Sequence, residues 1–321
     1  MIAKEPILEH DNGRFVVLPV KYEDFYSMYK KAVASFWTVE EVDLSKDKND
    51  FVKLNNDEKH FITMILAFFA CMDGLINENL CLRFMAEVQN SEARLFYGFQ
   101  MAIEGIHQET YANLIDTYIE NPNEKARLFN AIDNYPCVRR KADWVNRHIQ
   151  SSNRFAERLL AFICVEGIHF SGAFCAIYWI KSKNILPGLC FSNELISRDE
   201  ALHTEFGISL YNKLINRLSQ AEVHQIIREA VAIEEEFICE ALPCRLIGMN
   251  AKLMTQYIYF VADRLCLQLG YEKIWKVGNP FSFMEMISIE RKTNFFESRV
   301  SEYALSNKEK PSNIFDFNST F

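Results

Sequence analysis

The sequence predicts an all-α protein, and three observations predict it. No proline stands between Pro19 and Pro122, so roughly a hundred residues run without the residue that breaks helices. Apolar residues recur at helical spacing in one long stretch after another. Alternating β-branched runs joined by hairpin turns are nearly absent. Glycine (11) and proline (8) are both scarce among the 321 residues, which leaves few breaks between helices.

The elements follow in order. A first long helix is predicted over 55–88, opened by NNDE, in which Asn55 and Glu58 have capping-box spacing. Further helical stretches are predicted at 92–120, 124–134, 138–150, 153–184 and 192–217. Ser219 and Glu222 repeat the capping-box spacing ahead of a helix at 220–241, and a last one is expected at 244–268. No internal repeat of fixed period and no low-complexity block interrupts the series. Residues 301–321, SEYALSNKEKPSNIFDFNSTF, are polar with isolated aromatics and read as a flexible tail. The expected organisation is one helical domain over 1–300 and a mobile C-terminal arm over 301–321.

Composition excludes several classes of function. A net charge of −8 and a pI near 5.5 give no basic footprint for nucleic acid. The start, MIAKEPILEHDNGRF, has no apolar stretch after a basic beginning and does not resemble a secretory signal. The nine cysteines are odd in number and form no CxxC pair, and several sit inside apolar helical runs. Free thiols in a reducing compartment account for that pattern, so the cytoplasm is expected, with the nucleus left open.

One stretch, LLAFICVEGIHFSGAFCAIYWI (159–180), is apolar and about 33 Å long as a helix. It has the length of a membrane span, but Glu166 and His169 sit near its centre. No other segment is expected to reach span length, FITMILAFFACM (61–72) ending after about a dozen residues. A single such run does not make a membrane protein, and a buried lone carboxylate needs a partner.

Two other apolar helices carry the same feature. In FYGFQMAIEGIHQETYANLI, Glu104 and His107 are spaced i, i+3, and in NELISRDEALHTEFGISL, Glu200 and His203 repeat the spacing. Residues three apart share a helix face, so each pair can approach one ion from one side. A fourth acid, Asp73, interrupts FITMILAFFACMDGLI; its alternative reading is an internal cap or a buried salt bridge. Four long helices each presenting an acid, two of them adding a histidine, make the inventory of a dinuclear carboxylate site in a helical bundle. Oxygen-rich ligation with two imidazoles suits iron or manganese. His169 forms a third ExxH with Glu166, but the two-histidine pattern does not need it, and a structural role is expected for it. His10, His60, His148 and His224 lie in polar surroundings and are expected at the surface. Tyr111, four residues after His107, falls on the same stripe and reads either as a core tyrosine or as a redox-active one beside the metals. Phe170 and Phe174 read either as core packing or as a wall against water.

Longer stretches carry a resemblance. MYKKAVASFWTVEEVDLSKD, FYGFQMAIEGIHQETYANLIDTYI, PGLCFSNELISRDEALH, LIGMNAKLM, FVADRL and KTNFFESRVSEY together span most of the chain. They resemble the small, radical-generating subunit of class I ribonucleotide reductase of the eukaryotic and large-DNA-virus type. The resemblance implies a ferritin-like bundle with two iron ions per chain, manganese being an alternative in part. Asp73, Glu104 and His107 would ligate one ion, and Glu166, Glu200 and His203 the other. It further implies a tyrosyl radical on Tyr111 and a long-range path through His107, Asp199 and Trp37, then Tyr303 of the tail. The expected partners are a second copy of the chain and a large subunit that receives the tail, with Phe315, Phe317 and Phe321 as anchors, so the chain would be inactive alone. Where animal members read SDG and IEN, this chain reads MDG and IEG, and His169 replaces an aromatic. The N-terminal extension familiar in animal members is not seen, so regulation through it is not expected. Two other readings make different demands on the chain. A different di-iron oxidase would need a substrate pocket and no docking tail, and a non-catalytic partner would have lost ligands or the tyrosine.

Overall fold

The computed structural model describes residues 4–9, 16–150, 154–241 and 243–284, and every described regular element is helical. In chain order these are α1 (Glu23–Ala34), α2 (Asp47–Lys53), α3 (Asn56–Asn79), α4 (Met85–Glu87), α5 (Ser91–Tyr118), α6 (Pro122–Phe129) and α7 (Ala131–Asn134). They continue with α8 (Pro136–Val145), α9 (Phe155–Cys164), α10 (Ser171–Lys181), α11 (Pro187–Asn212), α12 (Gln220–Glu235) and α13 (Ala251–Gln268). Among the described residues, four π-helical segments, Leu80–Phe84, Asn146–Gln150, Val165–His169 and Glu236–Ala241, each follow an α-helix directly. The described residues up to Pro280 gather into one compact unit, and residues 281–284 belong to a second. The boundary expected at 300/301 lies outside the described residues.

Both capping boxes form. Asn55 accepts from the Glu58 N–H at 2.9 Å while Glu58 accepts from the Asn55 N–H at 3.1 Å, and Ser219 with Glu222 does the same ahead of α12. Helix α3 packs along α5, α1 lies on α5, and the α9–α10 helix lies on α11, which also meets α5. The core between them is aromatic and aliphatic, with Phe61, Phe68, Phe69, Phe96 and Phe206 fully buried. Two helical runs, Asn56–Glu87 and Phe155–Lys181, are long and apolar enough to cross a membrane, so the expectation that 61–72 stops short is corrected. An isolated buried acid such as Asp73 does not end a helix. Within their most apolar windows, 67% and 89% of the residues are buried against the rest of the protein, as in core helices.

The start of α11 is set with care, and it matters because that helix carries three site residues. Leu186 is left-handed (φ 54°), and Pro187 occupies the first helical position, where its missing N–H costs nothing. The buried Asp47 carboxylate accepts the N–H groups of Gly188 and Leu189, both at 2.8 Å, and the Tyr118 hydroxyl at 2.7 Å. A Cβ on residue 188 would lie 2.6 Å from the Asp43 carbonyl oxygen, so only glycine fits there.

Some boundaries differ from expectation. Helix α1 was missed because its apolar stripe is thin, burying only Phe25 and Ala32. The stretch 124–134 breaks at Asn130 into α6 and α7. The stretch 244–268 opens with a 3₁₀ turn, Cys244–Ile247, and restarts after Gly248 (φ 80°), where the Asn250 side chain caps α13. The stretch 153–184 is divided by the π segment Val165–His169, which contains Glu166.

Candidate metal centre

Each half of the bundle brings acids to one buried place. On α5 the residues Glu104, His107 and Tyr111 are buried on one stripe, as their i, i+3, i+7 spacing requires. Helix α3 adds Asp73, α11 adds Glu200 and His203, and the π segment adds Glu166; π turns of this kind are concentrated at functional sites. All six expected ligands are buried, and their donor atoms form two groups. Asp73, Glu104 and His107 make one, and Glu104, Glu166, Glu200 and His203 the other, with atoms in each within 4.8 Å of one another.

Two glutamates face both histidines. Glu104 places Oε1 3.0 Å from His203 Nδ1 and Oε2 3.4 Å from His107 Nδ1. Glu200 places Oε1 3.0 Å from His107 Nδ1 and Oε2 2.9 Å from His203 Nδ1. Gln100, one turn before Glu104, donates to Glu166 Oε1 at 2.9 Å. Asp73 Oδ2 and Glu166 Oε2 are buried with no hydrogen-bond donor, while both Glu104 oxygens and Glu200 Oε1 are buried against the imidazole nitrogens.

Such a cluster cannot carry four negative charges unaided. Burial, reinforced by Glu104, pushes Asp73 well above the usual carboxylate range, and burial with Glu200 and Glu104 does the same to Glu166. Glu200 is driven the other way: the two histidines overcome the effect of burial and hold it ionised. Burial opposes charge on His203 and His107, yet the surrounding carboxylates raise His203 to about 9 and His107 well above its ordinary value. Without metal, protons therefore stand where cations belong. Clustered hard carboxylates and two imidazoles fit a pair of divalent first-row ions, whose joint charge offsets the cost of burying the acids. This is a dimetal carboxylate site.

The outer residues are equally ordered. Asp199 Oδ2 lies 3.3 Å from His107 Nε2 and accepts from Trp37 Nε1 at 2.7 Å, while the Trp37 and His107 rings stack at 5.9 Å. Arg198 donates to Asp199 Oδ1 and to the Ser35 carbonyl, both at 2.8 Å. Although burial raises Asp199, its bond from His107 and the Arg198 charge win and keep it below its ordinary value. Tyr111 is fully buried and stacks on Phe69 at 4.7 Å; Phe69 in turn meets Phe170 and Phe174 at 5.6 and 5.1 Å. Burial, then the charges of Asp73, Glu200 and Glu104, raise the Tyr111 phenol well above its usual value. His169 belongs to neither ligand group and packs edge-on against Trp144 at 4.8 Å. His148 is corrected: it is buried (9% exposed), between Glu229 at 3.1 Å and Glu157 at 3.5 Å. His60 is exposed and His224 half-buried, while His10, Tyr303, Phe315, Phe317 and Phe321 lie outside the described residues.

Sequence reading missed Gln100, Arg198 and Phe69. Gln100 carried a signal, being a lone amide four residues before Glu104 on the same apolar helix. Arg198 and Phe69 carried none, since charged and aromatic neighbours surround them.

A helical bundle with paired acids and ExxH histidines on its inner faces defines the dimetal carboxylate class. Comparison with known proteins narrows the class. The family model for the ribonucleotide reductase small chain matches residues 14–280, and the chain belongs to that family. The ribonucleoside-diphosphate reductase small chain of Vaccinia virus (strain Ankara) is 58% identical over 299 residues, covering 93% of this chain and 94% of the viral one. That of Spisula solidissima is 60% identical over 300 residues, covering 93% and 78%. Among solved structures, the Rnr4 homodimer of Saccharomyces cerevisiae has a TM-score of 0.81 at 39% identity, covering 93% of this chain and 92% of that one. A dimanganese(II) NrdF of Streptococcus sanguinis shares the fold alone, with a TM-score of 0.74 at 18% identity over 84% of this chain and 96% of that one. The chain is thus the small-chain component of a ribonucleoside-diphosphate reductase.

Proposed function

We propose that the chain generates a tyrosyl radical on Tyr111 and passes its oxidising equivalent to a large subunit that reduces ribonucleotides. Asp73, Glu104 and His107 would hold one iron and Glu166, Glu200 and His203 the other, with Glu104 and Glu200 between them. A di-iron centre there supplies oxygen activation and a one-electron oxidant for the phenol. Manganese in part of the sites is compatible with the same oxygen and imidazole donors.

The single observation that carries this reading is Tyr111 itself, buried on the same α5 stripe as Glu104 and His107. Its raised pKa keeps the phenol protonated, so oxidation removes one electron and one proton together and leaves a neutral radical. The face contact with Phe69, backed by Phe170 and Phe174, excludes water and reductants. Trp37, Asp199 and His107 form a contiguous hydrogen-bonded run leading away from the centre. Asp199 fixes the His107 ring by accepting at Nε2, which leaves Nδ1 for a metal.

The outward end of the run would be reached through Tyr303, with residues 301–321 docking on the large subunit. Pairing with a second copy is supported by the homodimer of the 39% identical relative. Nine free thiols agree with a cytoplasmic setting. The test is ribonucleoside diphosphate reduction by the metal-loaded chain mixed with its large subunit. The Tyr111→Phe chain and a chain ending at residue 300 are both expected to be inactive, and turnover by either would contradict the reading.

A further inference from the structure

A second charged group lies in the same core. Lys141 of α8 is completely buried, and so is Glu234 of α12. The Lys141 ammonium donates to Glu234 Oε2 at 2.5 Å and to the His169 carbonyl at 2.6 Å. It also sits 3.9 Å from the Phe68 ring centre and 4.0 Å from that of Phe237, so two π faces cover it. The other carboxylate oxygen, Glu234 Oε1, accepts the Gly172 N–H at 3.0 Å. A Cβ on residue 172 would come within 2.5 Å of that oxygen, so the approach requires glycine.

These contacts converge on one turn. The π segment Val165–His169 has its hydrogen bonds widened to i→i+5, which disturbs the α-helical pairing of carbonyls and N–H groups on either side. Lys141 takes the carbonyl at the end of the segment, and Glu234 takes an N–H in the first turn of α10. Glu166 stands three residues before His169. Phe68, which covers the ammonium, adjoins Phe69, the ring stacked on Tyr111.

A buried ion pair alone is often no better than apolar packing. Here both partners are bonded to backbone groups flanking one irregular turn, which a role in bulk stability does not require. We infer that Lys141 and Glu234 are positioning residues that brace the Glu166-bearing turn, so that Glu166 meets the ligands of α5 and α11. The inference rests on reading the buried acids as a dimetal site.

The test is titration of the full-length, metal-free protein with Mn²⁺, following free Mn²⁺ by EPR, with folding checked by circular dichroism. The wild type is expected to take up about two ions; if it binds none, the dimetal reading fails whatever the variants do. Lys141→Met/Glu234→Gln removes both charges together. It is expected to bind one ion as the wild type does and the other at least tenfold more weakly, with a broadened bound-metal signal. Two ions bound with unchanged affinity and signal would overturn the brace. If that variant does not fold, Glu234→Gln alone is followed by amide exchange, because glutamine offers one acceptor oxygen where the carboxylate uses two. Exchange at 168–172 is expected to rise at least tenfold while α11 is unchanged; an unchanged rate at 168–172 would overturn the inference.

Discussion

Two groups of buried charge share this bundle and are built on opposite terms. Around Lys141 and Glu234, cation and anion meet in one pair, and both carboxylate oxygens and the ammonium have partners. Around Glu104 there are four carboxylates and only two imidazoles, so the acids outnumber the cations that could pair them. The first group supplies its own counter-charge. The second leaves it to protons or metal ions, and the raised positions of Asp73 and Glu166 show the cost of waiting. Of these two groups, the self-contained ion pair is the structural one and the surplus of acids is the functional one.

The contrast can be broken at several points. The largest effect is expected from Glu104→Ala, which removes an acid common to both ligand groups. Metal content should fall from about two ions per chain to less than one, measured by elemental analysis after loading. The same substitution should leave the metal-free protein folded, as circular dichroism would show.

Lys141→Met should behave in the reverse manner. It leaves Glu234 in the core without its counter-charge, where burial already raises the carboxyl to about 7, and equilibrium urea unfolding at pH 8 should show a loss of about 3–5 kcal/mol even without metal. Adding Glu234→Gln should recover part of that loss.

A pH titration sharpens the comparison. His203 is raised from 6.5 to about 9 in the metal-free fold. Its contribution to stability is complete below pH 6.5 and is lost as the pH rises through 9, a change of roughly 3 kcal/mol for a shift of that size. The metal-free protein should therefore melt lower at pH 9 than at pH 6.5. Metal loading should remove most of the difference, because ligand histidines are already neutral. Metal uptake near pH 7 should also release protons, detectable in weakly buffered solution.

The smallest effect on stability is expected from Trp37→Phe. It deletes the donor to Asp199 at a cost of about 1–3 kcal/mol, while metal content stays at the wild-type level. Turnover with the large subunit should fall much further than stability does. Equal turnover would remove Trp37 from the path.

How much of this was legible in the sequence follows from what each feature depends on. Asp73, Glu104 and Glu166 stood out because each interrupts an apolar run, and Glu200 through its spacing to His203, local signals that survive without knowledge of the fold. The i, i+3 spacing of the histidines was local as well. Lys141 and Glu234 gave no such signal: one sits in VRRKADW and the other in IEEEF, where charged neighbours hide them. The Trp37–Asp199 bond joins residues 162 apart, which no pattern along the chain encodes. The π turn at Glu166 lies in a run with ordinary helical periodicity, so a continuous helix was expected there. His148 looked exposed in VNRHIQ because its covering partners, Glu157 and Glu229, come from α9 and α12.

The most direct test of the central claim is anaerobic loading of the metal-free chain with ferrous iron, exposure to oxygen, metal counting and low-temperature EPR, with Tyr111→Phe alongside. About two irons per chain and a tyrosyl signal that disappears in the variant are expected. Absence of stoichiometric metal, or a tyrosyl signal that persists without Tyr111, would contradict it.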